Sequence, residues 1–340
     1  MQPVRWGILG TARIATEKVI PGLRRTETAE VVAIASRGAA KAEAAARRLG
    51  IPAAHASYEA LLADPAVEAV YIPLPNEQHV PWAIRAAEAG KHVLCEKPLA
   101  LTAAEAGSLI AARDRTGMLI LEAFMVRQHP QWLRVRELVR GGRIGRLHAI
   151  ACAFGYHNDD PDDIRNSLRH GGGALYDIGC YPVMLSRWLF GAEPARVAAL
   201  VERDPAGGTD ILTSALMAFP GGGQASFTVS TRMVPYQRLQ LFGSAGRIEL
   251  LIPFNAPPDR PCRILIDEGG AHGDASAVAE DLPVADQYAL QGAEFARLLR
   301  SGAPPDYPLE DAVATLRVIE AIFRAGADGR WVEVGASEGP

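Results

Sequence analysis

Up to about residue 123 the chain alternates short apolar strands with helical stretches; beyond it the rhythm breaks and long strands of period-2 character take over. VRWGILG runs directly into TARIATEKVIPGL, a stretch with helical spacing of Ile14, Val19 and Leu23. AEVVAIA, VEAVYIPLP, KHVLCEKP and MLILEAFM follow as strands, with HVPWAIRAAEAG and TAAEAGSLIAARDRTG as helices between them. Thr102 and Glu105 have the spacing of a capping box at the start of the latter. Strand–helix–strand repetition of this kind requires a parallel sheet with helices on both faces. The later strands, LHAIACAFGYH, ILTSALMAF, QASFTVSTR, YQRLQLFG and RIELLI, read as a largely antiparallel sheet, with a turn at Gly221 to Gly223. QHPQWLRVRELVRGG and CYPVMLSRWLFG are helical and flank the early part of that sheet; AEFARLLRSG and LEDAVATLRVIEAIFRAG close the chain as helices. NAPPDRP and the stretch from Glu268 to Asp286 read as loops. Two domains are expected: a doubly wound α/β domain over 1–123, and an α+β domain over 124–340 with a large, mostly antiparallel open sheet flanked by helices.

The first strand, tight turn and helix form the opening unit of a Rossmann dinucleotide-binding domain, in which a pyrophosphate faces the helix start. The glycine fingerprint is degenerate, Gly10-x-Ala12-x-x-Ala15, and the turn residues expected at the cofactor are Gly10, Thr11, Ala12, Arg13 and Ile14. The second strand ends in Ser36-Arg37 where an acidic residue would bind a ribose 2′-hydroxyl. An arginine fork matches a 2′-phosphate, which a carboxylate would repel, so the pair favours NADP over NAD, with Lys41 as a second positive charge. Taken alone, Ser-Arg at a strand end is also an ordinary solvated turn. Glu96-Lys97-Pro98 ends the strand KHVLC. Ligands of open α/β sheets bind beyond the carboxyl ends of the strands, which places Lys97 at the cofactor cleft.

Composition narrows the class. With 340 residues, 49% hydrophobic and 22% charged, the chain is long enough for two cores, and its net charge of -4 provides no basic field for nucleic acid. No apolar run reaches membrane-spanning length, and the first strand begins almost at once, leaving no room for a signal peptide. Cys95, Cys152, Cys180 and Cys262 lie far apart without a CxxC pair, as expected of buried thiols in a reducing cytoplasm; no metal-binding spacing is present.

Taken together, PLPNEQH, EKP, EAFMVRQHP and GGGALYDIGCYP make the chain resemble the Gfo/Idh/MocA oxidoreductases over nearly its whole length. GILGTARIA, ASR, EAFMVRQHP and YDIGCYP are most similar to the branch of dimeric dihydrodiol dehydrogenase and NADP-dependent D-xylose dehydrogenase. The resemblance implies that Lys97 holds the reacting oxygen near the nicotinamide. Its partner motif DxGxH reads Asp177-Ile178-Gly179-Cys180-Tyr181 here, so Tyr181 takes the acid/base position and Asp177 positions substrate hydroxyls. A phenol titrates near ~10 and donates to a carbonyl being reduced; a neighbouring ammonium lowers that value.

Pro73, Leu74, Asn76, His79 and Glu96 fall on the cofactor side, His79 being equally readable as a helix cap or packing residue, and Pro98 is expected to be cis. Arg127 reaches either the cofactor or substrate or an interdomain salt bridge. Arg165 and Asn166 are candidate substrate contacts or loop residues, and Phe154 and Phe254 line a pocket or belong to the core. Met125 stands after Phe124 where the aromatic-diol branch has tryptophan, which favours a sugar or polyol substrate.

The leading expectation is an NADP(H)-dependent oxidoreductase of a sugar, polyol or related hydroxyl/carbonyl compound, assembling as a homodimer or homotetramer. The alternatives are a glycosidase that uses nicotinamide transiently and a non-catalytic NADPH sensor. Leu212, Leu216, Phe227 and Leu239 are the apolar residues expected at the assembly face of the second sheet.

Overall fold

A computed structural model describes residues 2–270 and 273–335. The chain divides into two compact units, Met1–Gln128 with Asp286–Val313, and His129–Ala285 with the remainder from Ala314.

In the first unit, β1 (Val4–Leu9), β2 (Ala29–Ala35), β3 (Ala53–His55), β4 (Ala69–Ile72), β5 (His92–Glu96) and β6 (Ile120–Ala123) form an all-parallel sheet in the order β3-β2-β1-β4-β5-β6. The order reverses between β1 and β4, which opens a crevice at their carboxyl ends. These strands are buried on both faces, as their continuous apolar runs require; Trp6, Ile8, Val70, Tyr71 and Val93 are fully enclosed. Five helices connect them: α1 (Ile20–Leu23), entered through a π-helical turn at Ala15–Val19, α2 (Ala39–Leu49), α3 (Tyr58–Leu62), α4 (His79–Glu88) and α5 (Ala103–Thr116). The Thr102 hydroxyl accepts from the Glu105 amide at 3.1 Å, while the Glu105 carboxylate accepts from the Leu101 amide at 3.0 Å. The expected cap therefore forms, its return bond displaced by one residue.

The first unit also takes in a segment that the sequence reading assigned to the second domain. Helix α8, which starts in this segment at Gln287–Ser301, follows α6 (Pro130–Arg140) and α7 (Cys180–Phe190) in chain order and packs on α1. The crossing is close because it is lined by glycines: a Cβ at Gly22 would lie 2.7 Å from Tyr288 Cβ, and one at Gly292 would lie 2.3 Å from Leu23 Cδ2. Phe295 reaches Trp6 of β1, ring centroids 4.7 Å apart, and Arg300 pairs with Glu68. The division between the units falls within the last helix, α9 (Leu309–Asp328).

The second unit holds nine strands: β7 (Leu147–His157), β8 (Arg196–Arg203), β9 (Asp210–Ala218), β10 (Gln224–Ser230), β11 (Arg232–Gly243), β12 (Arg247–Leu250), β13 (Cys262–Asp267), β14 (Val278–Leu282) and β15 (Val332–Glu333). Their order is β14-β13-β12-β11-β7-β10-β9-β8-β15, antiparallel except for the β7–β10 pair. Strand β14 lies within the Glu268 to Asp286 stretch, which is therefore not all loop. Its VAEDL pattern is polar and mostly exposed, as suits an edge strand, so periodicity carried no signal there.

Along the middle of β9 and β10 and the later part of β11 burial alternates, with Thr213, Ala215, Met217, Phe227, Val229, Leu239 and Leu241 on the covered face. Leu200, Leu212, Leu216 and Tyr236 are exposed on the other. Phe227 and Leu239 are therefore core residues rather than members of the open face, because each is one residue out of phase with it. All four cysteines are free and buried.

Candidate functional site

At the carboxyl edge of the parallel sheet, Gly10 ends β1 with φ +114°, and a Cβ there would lie 3.1 Å from Leu74 Cδ2. The turn thus needs glycine both for its dihedral and for the approach of the β4 loop. Thr11, Ala12 and Ile14 are half-buried and Arg13 is exposed, held by Glu17 at 3.2 Å. At the end of β2, Ser36 is buried and Arg37 and Lys41 are exposed. Among the described residues neither cation has a hydrogen-bond or ion-pair partner, so both are available to an anion. Small turn, helix entrance and unpaired cations fit a dinucleotide carrying a 2′-phosphate.

The Lys97–Pro98 peptide is cis, and the loop that carries it is pinned from several sides. Glu96 accepts from the fully buried Tyr71 hydroxyl at 2.6 Å and from the Lys97 amide at 3.3 Å, while Glu122 accepts from the Leu99 amide at 2.8 Å. His79 is completely buried, its Nδ1 2.8 Å from the Pro98 carbonyl and its Nε2 2.7 Å from the Leu74 carbonyl. Burial pushes its pKa below the ordinary imidazole value, opposed by the two carbonyls. Each ring nitrogen faces a carbonyl, of which the neutral ring donates to one, so His79 sits between the loop of Pro73, Leu74 and Asn76 and the loop of Lys97 and turns neither nitrogen outward. Asn76 itself is half-buried at the head of the turn leading into α4.

Arg127 is likewise committed within this unit. Only 4% exposed, its guanidinium pairs with Asp311 and lies 3.8 Å above the Tyr307 ring. The ion pair lies within this unit rather than bridging domains, and among the described residues it engages only one of the guanidinium nitrogens.

In the second unit, α7 is entered through another π-helical turn, Leu175–Gly179, that carries Asp177. Such turns recur at functional sites because the extra residue re-aims side chains. Asp177 accepts from the Tyr156 hydroxyl and stands 3.5 Å from the Arg165 guanidinium, whose pKa is raised chiefly by that carboxylate. Tyr181, 5% exposed, is ringed by aromatics: its centroid lies 6.1 Å from Phe154 and 5.3 Å from Phe254, which stack on each other at 4.6 Å. Phe154 and Phe254 thus fix the Tyr181 ring, with Phe254 fully buried. Asn166 is a correction to the expected substrate contacts. It is 92% buried, as its 8% exposure requires; its amide donates to the Asn158 and Asp160 carbonyls at 3.2 and 2.8 Å, and its oxygen accepts from Arg232 at 3.2 Å. It clamps the loop on which the exposed Arg165 stands.

The sequence reading overlooked Tyr156, although period 2 along β7 puts it on the same face as Phe154. It also overlooked Tyr71 and Glu122, which act only through folded contacts.

Residues 4–124 match the family model described as the oxidoreductase family with an NAD-binding Rossmann fold, and residues 132–249 match the Gfo/Idh/MocA C-terminal domain. The chain belongs to the Gfo/Idh/MocA oxidoreductase family. It is 51% identical to an uncharacterized oxidoreductase of Rhizobium meliloti over 98% of this chain and 100% of that one. To the NADP(+) D-xylose 1-dehydrogenase 2 of Haloferax volcanii it is 38% identical, over 97% and 99% of the two chains. A 3-ketoreductase from Actinomadura kijaniata, solved with NADP and TDP-benzene, superposes with a TM-score of 0.89 at 32% identity, covering 95% of this chain and 98% of that one. The protein is therefore an NAD(P)-dependent oxidoreductase of this family. Among its described residues no helix is long and apolar enough to cross a membrane, and no cluster of side chains could hold a metal ion.

Proposed function

We propose that the chain is an NADP(H)-dependent oxidoreductase acting at a hydroxyl or carbonyl carbon of a sugar or polyol. The observation that carries the cofactor choice is the pair of exposed, unpartnered cations, Arg37 and Lys41, at the end of β2 and the start of α2. The likeness to an NADP(+) D-xylose dehydrogenase along nearly the whole chain supports the substrate class. So does the polar cluster of Asp177, Tyr156 and Arg165 beside the aromatic seat of Tyr181, since polyhydroxy ligands need several oriented hydrogen-bonding groups.

The nicotinamide, when bound, donates or accepts the hydride. The remaining chemistry is assigned to the chain. The Lys97 ammonium holds the reacting oxygen and stabilises the charge that develops on it. The Tyr181 hydroxyl gives its proton to that oxygen in reduction and withdraws it in oxidation. Asp177, held by Tyr156, accepts from a neighbouring substrate hydroxyl. Glu96, Glu122 and His79 keep the Lys97 loop in place.

Tyr181→Phe keeps the ring in its aromatic seat and removes only the proton donor. Turnover of an aldose or polyol should fall by roughly a hundred- to ten-thousandfold, with NADPH affinity retained. Near-normal turnover would pass the proton role to another group, His157, His170 or a water. Hydrolysis of a glycoside without net change in the cofactor would favour the glycosidase alternative, and cofactor binding without turnover of any substrate would favour the sensor.

The open face of the nine-stranded sheet is the proposed assembly surface. Its rows run through small residues, as in Leu200–Ser214–Thr228–Ala153–Arg238, and leave an open hollow of about 790 Å³ reaching Trp331. Leu200 is 78% exposed and Leu216 51%, a cost in water that a second copy laid on the face would remove.

A further inference from the structure

Tyr58 opens α3 immediately after β3, and its conformation is set locally. The Ser57 hydroxyl caps the helix by accepting from the Ala60 amide at 3.1 Å, and the phenol ring packs edge-on against Trp82, centroids 4.9 Å apart at 87°. The side chain is 93% buried, given its 7% exposure, yet among the described residues nothing hydrogen-bonds its hydroxyl. Tyr71, the fully buried tyrosine of the same sheet, has its hydroxyl satisfied by Glu96.

The position of that free hydroxyl is specific. It lies 3.8 Å from where a Cβ on Gly10 would stand, a point itself 3.1 Å from Leu74 Cδ2. Helix α3 packs against β1, where a Cβ on Gly7 would lie 2.7 Å from Leu61 Cδ2, and this places the Tyr58 hydroxyl beside the Gly10 turn at the end of β1, where the strand order reverses. Burial raises its pKa, with Arg37 acting in the opposite sense, so it is a neutral donor at physiological pH.

We propose that Tyr58 is a further dinucleotide-binding residue, its hydroxyl donating to the ribose–pyrophosphate portion of the adenosine half. The proposal rests on the cofactor reading above. The portion named is common to NADP and NAD, which separates Tyr58 from Arg37.

The test is fluorescence titration of the full chain and of Tyr58→Phe with NADPH and with NADH. Both dissociation constants should rise by roughly tenfold or more in the variant, the expected loss of one hydrogen bond to a charged or strongly polar acceptor. The unfolding midpoint of the cofactor-free variant should be unchanged. Unchanged affinities would overturn the assignment. So would a loss confined to NADPH, which would move the hydroxyl to the 2′-phosphate, and so would a lowered unfolding midpoint, which would make it a packing group. Failure of the unmodified chain to bind either dinucleotide would instead overturn the function itself, and this site with it.

Discussion

Replacing Arg37 by alanine should reduce the preference for NADPH over NADH while leaving the fold intact. Arg37 is exposed and, among the described residues, touches no acceptor, so its loss should change stability by no more than about 0.5 kcal/mol. Its value lies in binding. A guanidinium facing a 2′-phosphate makes charge-assisted hydrogen bonds, worth about 1.5–3 kcal/mol. Exposure to solvent favours the lower part of that range, so NADPH affinity should fall by roughly ten- to a hundredfold, at about 1.4 kcal/mol per tenfold. Lys41, equally exposed and a point charge rather than a fork, should contribute about 0.2–1 kcal/mol, up to roughly fivefold. NADH, lacking the phosphate, should bind Arg37→Ala and the parent alike. Because the cations are exposed, raising salt should erode the NADPH preference of the parent and leave NADH binding nearly unchanged. Dissociation constants from nicotinamide fluorescence, with kcat/KM for both cofactors, measure each term. Equal catalytic efficiency with both cofactors in the parent, or equal weakening of both in Arg37→Ala, would refute the assignment.

Gly10→Ala forces a side chain onto φ +114° and against Leu74 at 3.1 Å; it should cost about 1–3 kcal/mol in urea unfolding and weaken NADPH binding together, and an unperturbed variant would contradict the tight turn. Leu200→Arg with Leu216→Arg puts charges on the open sheet face and should yield monomers by sedimentation velocity at micromolar concentration; a parent that is already monomeric there would refute the assembly surface. His92 is the pH-sensitive element of β5: burial lowers its pKa, and its Nδ1 accepts from the Leu119 amide at 3.0 Å. The unfolded chain thus takes up this proton at higher pH than the folded one, so the contribution is complete above about pH 6.5 and is lost as pH falls through the lowered folded value. Urea midpoints should decline on acidification more steeply in the parent than in His92→Gln, and parallel profiles would exclude His92 as the cause.

How far the sequence reaches is clearest from particular residues. Continuous apolar runs such as AVYI and VLC can be satisfied only by strands covered on both faces, so the parallel sheet follows from local pattern. The same holds for the ends of those strands: Gly10, Ser36-Arg37 and Lys97-Pro98 occupy the edge where an α/β sheet binds ligands. Period 2 also located five strands of the second sheet, but which face each phase presents was decided by the pairing, which buries Phe227 and Leu239 and leaves Leu212 and Leu216 exposed.

Tertiary structure decided what depends on partners distant in the chain. That α8 belongs with α1 rests on Gly22 and Gly292 allowing close approach, a complementarity of two surfaces more than 260 residues apart, as their numbers give. His79, Arg127 and Asn166 look like ligand-facing residues by position alone. Folding instead commits them to the Leu74 and Pro98 carbonyls, to Asp311, and to Asn158 and Asp160. Tyr156 and Tyr58 show the opposite case, unremarked along the chain and placed only when β7 meets the Asp177 turn and α3 brings the Tyr58 hydroxyl beside Gly10. Backbone pattern is a local property and can be read locally, whereas a buried hydrogen bond is fixed by whichever group the rest of the fold brings within about 3 Å of it.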